Sequence, residues 1–319
     1  MRQGGVQGSS ATDRGPLLLG LGMATVDFLT LVPRLPGPDE VFPLQRLDMQ
    51  GGGPVATALA AAARLGTGAA FAGAVGDDHW GDAIVDDFGR FGVNVDEVVR
   101  RRGGVSPHSV ILVDAASGKR SILYSNGDVR GLEPAELPER LIGRAAVLHL
   151  DGFDIDAALE AARIARAAGV PVSLDGGAGE PWPGLLDLLP LVDLLVVAAQ
   201  FAESVTGEKR PESALTALRR WGARQVVITD GARGAWFLGG EGDTGHVPAF
   251  DVEVVDTTGA GDTFHGAYLH AFLAGESIAG CVLFASAAAA LKCTRLGGRA
   301  GLPTSDQVEA FLAASAAGR

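Results

Sequence analysis

The chain has 319 residues, 47% of them hydrophobic, enough to bury a substantial core and to exclude a wholly disordered segment. Acidic residues outnumber basic ones 38 to 26, a formal net charge of −12, and that sign opposes both a general nucleic-acid binder and polybasic docking on anionic lipid. Glycine stands at 46 residues without a Gly-X-Y period, which excludes collagen and points to tight turns and close backbone approaches.

The opening stretch as far as Pro16 is polar and lacks the apolar core of a secretory signal. It reads as a flexible tail over 1–15, followed by one folded domain over 16–319. Leu17 to Gly22 (LLLGLG) is a short buried strand ending in a turn, and Val41 to Met49 is extended. Gly51-Gly52-Gly53-Pro54 opens an Ala-rich helix from Val55 to Leu65, closed by Gly66, the expected placement of proline at a helix start and glycine past its end. A strand at Ala70 to Val75 and a helix at Trp80 to Phe91 follow. His108 to Val113 and Arg120 to Ser125 form a hairpin around Ala116-Ser117-Gly118.

From Ala145 onward the alternation is cleaner. Strands are predicted at 145–150, 170–174, 191–197, 225–229 and 235–238, and helices at 155–168, 212–221, 263–273 and 278–292. Apolar strands alternating with helices imply an α/β fold whose mainly parallel sheet is covered on both faces. The extended pieces near 41–49 and 108–125 break that alternation and predict a small separate β-sheet. Cys281 and Cys293 lie in an apolar, Ala-rich stretch and read as reduced core thiols. No apolar run is long enough to span a membrane. The expectation is a soluble cytoplasmic protein.

In such a sheet ligands bind beyond the carboxyl ends of the strands. Asp27, Asp151, Asp175 and Gly231 all fall there. The most informative segment is Asp256-Thr257-Thr258-Gly259-Ala260-Gly261-Asp262-Thr263-Phe264, a glycine-rich turn running straight into a helix. Converging N–H groups and the positive helix end make an anion pocket. A carboxylate at Asp262 beside a phosphate makes sense if it removes a proton from an attacking hydroxyl. The blander reading is an acid placed favourably in a first helical turn. The segment is neither a Walker A loop nor Gly-x-Gly-x-x-Gly.

This segment resembles the C-terminal signature of the ribokinase-like (PfkB) carbohydrate kinases. The resemblance extends over about Leu17 to Leu312. Gly51-Gly52-Gly53-Pro54-Val55-Ala56-Thr57, ending in Arg64-Leu65-Gly66, is similar to the family's N-terminal signature. Gly73-x-x-Gly76-Asp77-Asp78 and Thr229-Asp230-Gly231-Ala232-Arg233-Gly234 resemble two further turns. The resemblance implies a three-layer αβα sandwich with a small β-lid, over approximately 28–50 and 103–127, that mediates a homodimer. It implies ATP-dependent phosphorylation of a sugar-type alcohol. Asp262 would be the base, and the amides of Gly259, Ala260 and Gly261 would hold the developing charge. Asp27, Thr25, Gly52, Gly53 and Thr57 would bind the sugar. Thr229, Gly231 and Gly234, with Gly259 and Gly261, would bind ATP and its Mg²⁺. Asp256 and Thr258 would sit at a monovalent cation site for K⁺.

Two positions depart from the family pattern. Thr57 stands where relatives carry Asn, and Ala198 and Phe201 stand where an Asn-x-x-Glu motif would help hold magnesium, with Gln200 and Glu203 nearby. The helix from Gly52 to Gly66 and the stretch 284–301 are most similar to the sulfofructose kinase branch. Asp151-Gly152-Phe153, however, lacks an arginine suited to a sulfonate. His149, His265 and His270 read as core or surface residues, and Asp77, Asp78, Asp86 and Asp87 as solvated acids. Two competing readings are a catalytically weak sugar- and nucleotide-binding regulatory protein of the same fold, and a nucleotide-dependent oxidoreductase. The second lacks a dinucleotide fingerprint.

Overall fold

A computed structural model describes residues 17–41, 43, 44 and 46–317; the tail expected over 1–15 lies outside them. The first strand, β1 (Leu17–Leu21), is followed after a short turn by β2 (Thr25–Val32), then β3 (Leu47–Gly52). Next come α1 (Pro54–Arg64), β4 (Gly68–Gly76), α2 (His79–Phe91) and β5 (Asn94–Arg101). A hairpin of β6 (His108–Asp114) and β7 (Arg120–Ser125) precedes α3 (Glu139–Ile142), β8 (Val147–Leu150), α4 (Ile155–Ala167) and β9 (Val172–Asp175). Then follow α5 (Leu185–Leu188), β10 (Leu194–Ala198), α6 (Ala199–Thr206), α7 (Pro211–Arg219), β11 (Gln225–Thr229), β12 (Ala235–Leu238) and β13 (Thr244–Val247). Three helices close the described chain: α8 (Ala260–Leu273), α9 (Ile278–Cys293) and α10 (Ser305–Ala317).

The large sheet has the order β13-β12-β11-β10-β9-β8-β1-β4-β5, parallel from β11 to β5, with β12 and β13 antiparallel at one edge. Its central strands are apolar on both faces because both faces are covered. In β1, Leu18 points into a core with Val55, Leu59, Phe71, Tyr268 and Val282, on the side of α1, α8 and α9. Leu19 and Leu21 point the other way, into a core with Ala158, Leu185, Phe201 and Leu215, on the side of α4 to α7. The result is a three-layer αβα sandwich, as expected.

The extended pieces form a second sheet, of order β3-β2-β6-β7. Since only three residues separate the end of β1 from the start of β2, this sheet stands over the carboxyl ends of the parallel strands. Its own small core is Leu29, Ile111 and Val113, against Leu296.

Several elements escaped the sequence pattern. β5 is a half-buried edge strand carrying Asp96, Glu97, Arg100 and Arg101, too polar to stand out. β2, α6, β13 and α10 were likewise unmarked. The strand predicted at 191–197 begins at Leu194, because Leu189–Leu191 is a 3₁₀ turn carrying Pro190, which lacks a ladder N–H. No helix among the described residues is long and apolar enough to cross a membrane.

α8 lies hard against α1 because Gly266 has no side chain. A Cβ there would overlap the Ala58 carbonyl oxygen and come within 2.8 Å of the Ala61 methyl. Backbone cannot step aside as a side-chain end can, so Gly266→Ala should lower stability by about 1–3 kcal/mol, the usual cost of overpacking. Urea melts of the two proteins measure it; an unchanged midpoint would mean that the helices separate freely.

Candidate active site

Asp27 is the centre of the first half of the site. In β2 it lies in register with Ser109 of β6, and its Oδ1 accepts from Ser109 Oγ and Thr25 Oγ1, both at 2.7 Å. Burial pushes its carboxyl above the usual range, and those two hydrogen bonds oppose the shift. Gly52 pairs with Thr25 across β2 and β3, and a Cβ on it would overlap Asp27 Oδ2. Gly53, with φ 92°, is the N-cap of α1. Asp27, Thr25 and Gly52 therefore meet, with Gly53 next in the chain.

Thr57 has a different partner. Its hydroxyl, 2% exposed, accepts from Arg299 Nε at 3.3 Å. The same guanidinium donates to Gly52 O at 3.0 Å and to Asp87 Oδ2 at 2.5 Å, and lies 5.2 Å from the Phe88 ring centroid. Thr57 thus supports the Gly52 loop through Arg299, a contact that its expected role as a sugar ligand did not include. Asp87 is also corrected: it is 4% exposed and ion-paired, not solvated. Asp78 caps α2 through Gly81 N–H and binds Ser106.

The second half is the entry to α8. Gly259, at φ 72°, is the N-cap. Ala260 N–H closes the turn onto Thr257 O at 3.2 Å, so Gly261 and Asp262 carry the first-turn amides without intrahelical acceptors. This shifts the expected donor set away from Ala260. Asp256, fully buried, accepts at Oδ1 from Thr258 N–H (2.8 Å) and Thr258 Oγ1 (2.7 Å), and at Oδ2 from Gly297 N–H (2.7 Å). Arg120, on β7 of the small sheet, reaches across to donate to Thr257 Oγ1 at 3.1 Å. It has no carboxylate partner among the described residues.

Asp262 is half-buried at the first turn of α8. Burial, reinforced by the Asp175 charge, pushes its carboxyl up to about 7. Asp175, at the carboxyl end of β9, pairs with His265 Nε2 at 3.4 Å. Burial alone would raise Asp175, but the His265 charge and hydrogen bond outweigh it and hold it at about 2. His265 is therefore part of the charge balance around Asp262, three residues along the same helix. His149 lies beside it, ring centroids 5.4 Å apart, with Nδ1 3.2 Å from Ser173 Oγ; burial lowers it to about 3, so it is neutral. Asp151 is raised to about 7, chiefly by burial, and accepts from Met23 and Phe153 N–H groups. His270 bridges Thr67 and Ser305, a structural role.

Beyond Gly261 opens a cavity of about 480 Å³. Thr229, Gly231, Gly234 and Gly261 line it as expected. Phe250, Phe264 and the α9 residues Ser286 and Ala289 complete its walls, and these had no sequence signal beyond helical apolarity. Gly259 is not part of its lining. Ala198 ends β10 and Phe201 is fully buried, so neither offers oxygen to a metal. Gln200 and Glu203 are exposed, and no cluster of three His, Cys, Asp or Glu side chains suited to a metal exists among the described residues.

The Arg299–Asp87 pair is enclosed, with side chains 2% and 6% exposed. Removing one partner strands a buried charge, so Arg299→Met should cost about 3–5 kcal/mol, and adding Asp87→Leu should restore part of that loss. Chemical denaturation of the single and double variants tests this; a double variant no more stable than the single one would show that the pair is not the relevant contact.

The pfkB family carbohydrate kinase pattern matches residues 17–305. Ribokinase from Haemophilus influenzae is 30% identical over 308 residues, covering 92% of this chain and 97% of that protein. ATP-dependent ribose-1-phosphate kinase from Halopiger xanaduensis is 31% identical over 295 residues, with the same coverage. The solved structure of Arabidopsis thaliana ribokinase complexed with ribose and ATP superposes with a TM-score of 0.80 at 28% identity, covering 93% of this chain and 99% of that one. With the αβα sandwich, the α8 turn and these matches in place, the chain belongs to the pfkB family of carbohydrate kinases.

Proposed function

We propose that the protein transfers the γ-phosphoryl group of ATP to a hydroxyl of an uncharged sugar, with Asp262 as the general base. The observation that carries this reading is one carboxylate in the first turn of α8, raised to about 7 by burial, within the field of Asp27 and next in the chain to Gly261 of the large cavity. Asp27 can accept two hydroxyl hydrogen bonds through its charged form, which suits a polyol and repels an anionic substrate. The cavity takes the nucleotide, with Thr229, Gly231 and Gly234 on its far side and its phosphates directed at Gly259 and Gly261.

In this reading Asp262 removes the hydroxyl proton as the oxygen attacks phosphorus. First-turn amides of α8 stabilise the charge on the transferring group, and that help is greatest in the transition state. Arg120 supplies a cation from the small sheet, which acts as a lid. Mg²⁺ neutralises the nucleotide phosphates when bound. Ala198 and Phe201 do not fit it, so ATP and water would hold it. The ribokinase relative favours a pentose-type substrate, and Asp151-Gly152-Phe153 carries no arginine that would suit a sulfosugar.

The outer face of the lid supports a homodimer. Met49, Val110 and Leu123 share that face through their pairing around Phe28 and are 53%, 42% and 60% exposed. Two buried free thiols fit the reducing cytoplasm.

An ATP-consumption assay across pentoses and hexoses tests the activity. Binding of sugar and nucleotide without turnover would favour a regulatory protein of this fold instead. Asp262→Asn keeps the shape and removes the base, so kcat should fall about 10²–10⁴-fold; wild-type turnover would sink the assignment. Only the ionised carboxylate accepts a proton, so the rate should rise with pH through about 7 and level off above it. A pH–rate profile flat from 5 to 8 (about one unit or more on either side of that value) would contradict it. Asp27→Ala should raise the sugar KM strongly and leave the ATP KM unchanged; a parallel rise in both would make Asp27 structural.

A further inference from the structure

The family resemblance assigns Asp256 and Thr258 to a K⁺ site, yet the side-chain oxygens there are already engaged. Asp256 Oδ1 accepts two donors from Thr258, Oδ2 accepts Gly297 N–H, and the Thr258 hydroxyl is itself one of those donors. The Asp256 main-chain carbonyl accepts as well. Its donor is Lys292 Nζ, at 2.9 Å. Thr257 Oγ1 is held by Arg120. Gly301, on the facing loop, packs on the Lys292 backbone and has no side-chain oxygen to give an ion.

Lys292 is an unusual residue for its place. It is the one charged side chain of the sixteen-residue helix α9, and its relative exposure is 0%. A buried ammonium persists only where negative groups compensate its desolvation. Burial pushes the Lys292 ammonium below its usual range, and the charge of Asp256, whose carbonyl it donates to at 2.9 Å, is the chief influence opposing that shift. The positive charge that a monovalent ion would bring to this turn is thus already attached to the chain.

We propose that Lys292 is a tethered replacement for the monovalent cation, a positioning residue whose ammonium pins the Asp256–Gly259 turn and so aims the first amides of α8. The inference rests on the phosphoryl-transfer reading for its consequence in catalysis, though not for its consequence in ion binding. The activity of this enzyme is then independent of K⁺.

Two measurements on the wild-type protein decide the ion question. Initial rates in chloride salts of K⁺, Na⁺ and choline, at matched ionic strength and saturating Mg²⁺, should give one kcat. Titration with Tl⁺ as a K⁺ probe, followed by thallium NMR with an unreactive ATP analogue, should show no saturable binding. A kcat that rises with K⁺ over choline, or a saturable Tl⁺ site, overturns the proposal. The Tl⁺ titration needs no turnover, so it stands even if the protein proves to be no kinase. Lys292→Ala and Lys292→Met test the role of the charge. In choline, kcat of both should fall by about 10²–10³-fold, as when an oxyanion donor is lost, with sugar KM unchanged. K⁺ or methylammonium should restore much of the loss in the Ala variant alone, because only it leaves space. Circular dichroism confirms that each variant is folded. A folded Ala variant that is fully active in choline, or that stays slow in every salt, overturns the cation role. Should neither variant fold, the two wild-type measurements still settle it.

Discussion

The Asp256 carboxylate, out of contact with water, accepts from the Thr258 N–H, the Thr258 hydroxyl and the Gly297 N–H, and so welds the turn before α8 to the loop after α9. Such donors offset the cost of burying a carboxyl group. Each donor comes from a backbone or side chain whose position decides where a functional group stands. Thr258 leads into Gly259, which sets the first turn of α8 and hence Asp262. Gly297 leads into Arg299, which grips Gly52 O and thereby the loop beside Asp27. The two halves of the site are thus tied to one buried side chain, although Asp27 and Asp262 are 235 residues apart in the chain.

Charges are sorted in the interior around that tie. Asp175 and Asp262 are chemically alike, yet their environments drive them apart, one to about 2 and the other to about 7. The difference is His265, which touches Asp175 directly and reaches Asp262 only through the field. Carboxylates pushed apart in this way usually hold different tasks. Here the deeper one holds His265, and the shallower one keeps a proton affinity suited to exchange near neutral pH. Arg299 and Asp87 form a second buried pair, and Lys292 is a third buried cation, donating to the Asp256 carbonyl. A chain of strongly acidic overall charge has thus placed several of its cations inside, next to the functional loops.

Close packing makes this arrangement possible. Gly52 and Gly266 are both points where a methyl group would strike a neighbour: the first the Asp27 carboxylate, the second the backbone of α1. The small sheet completes the enclosure. It is carried on β2, which leaves the end of β1 directly, so its Arg120 and Ser109 reach the site from above while the large sheet supplies Asp151 and Asp175 from below.

The alternation of apolar strands with helices was enough to determine the layered sandwich, because covering both faces of a sheet leaves a periodic mark in the residues themselves. The Gly-Gly-Gly-Pro and Asp-Thr-Thr-Gly-Ala-Gly-Asp segments were legible for a related reason: backbone geometry at a turn demands particular residues at adjacent positions. Asp27, Asp262 and the Thr229–Gly234 turn followed from these. Arg299, Lys292, Arg120 and the Asp175–His265 pair did not. Lys292 left one trace, a lone charge in an Ala-rich helix, but its partner is the carbonyl of residue 256, and no local pattern records a contact across 36 positions. Asp87 was misassigned for the same cause, and Thr57 has a partner no pattern announced, since each meets Arg299 only after the chain has folded back on itself. Local periodicity and turn chemistry are properties of neighbours in sequence. Which charges are buried together, and so which proton affinities shift, depends on desolvation and distance, and those exist only in the tertiary structure.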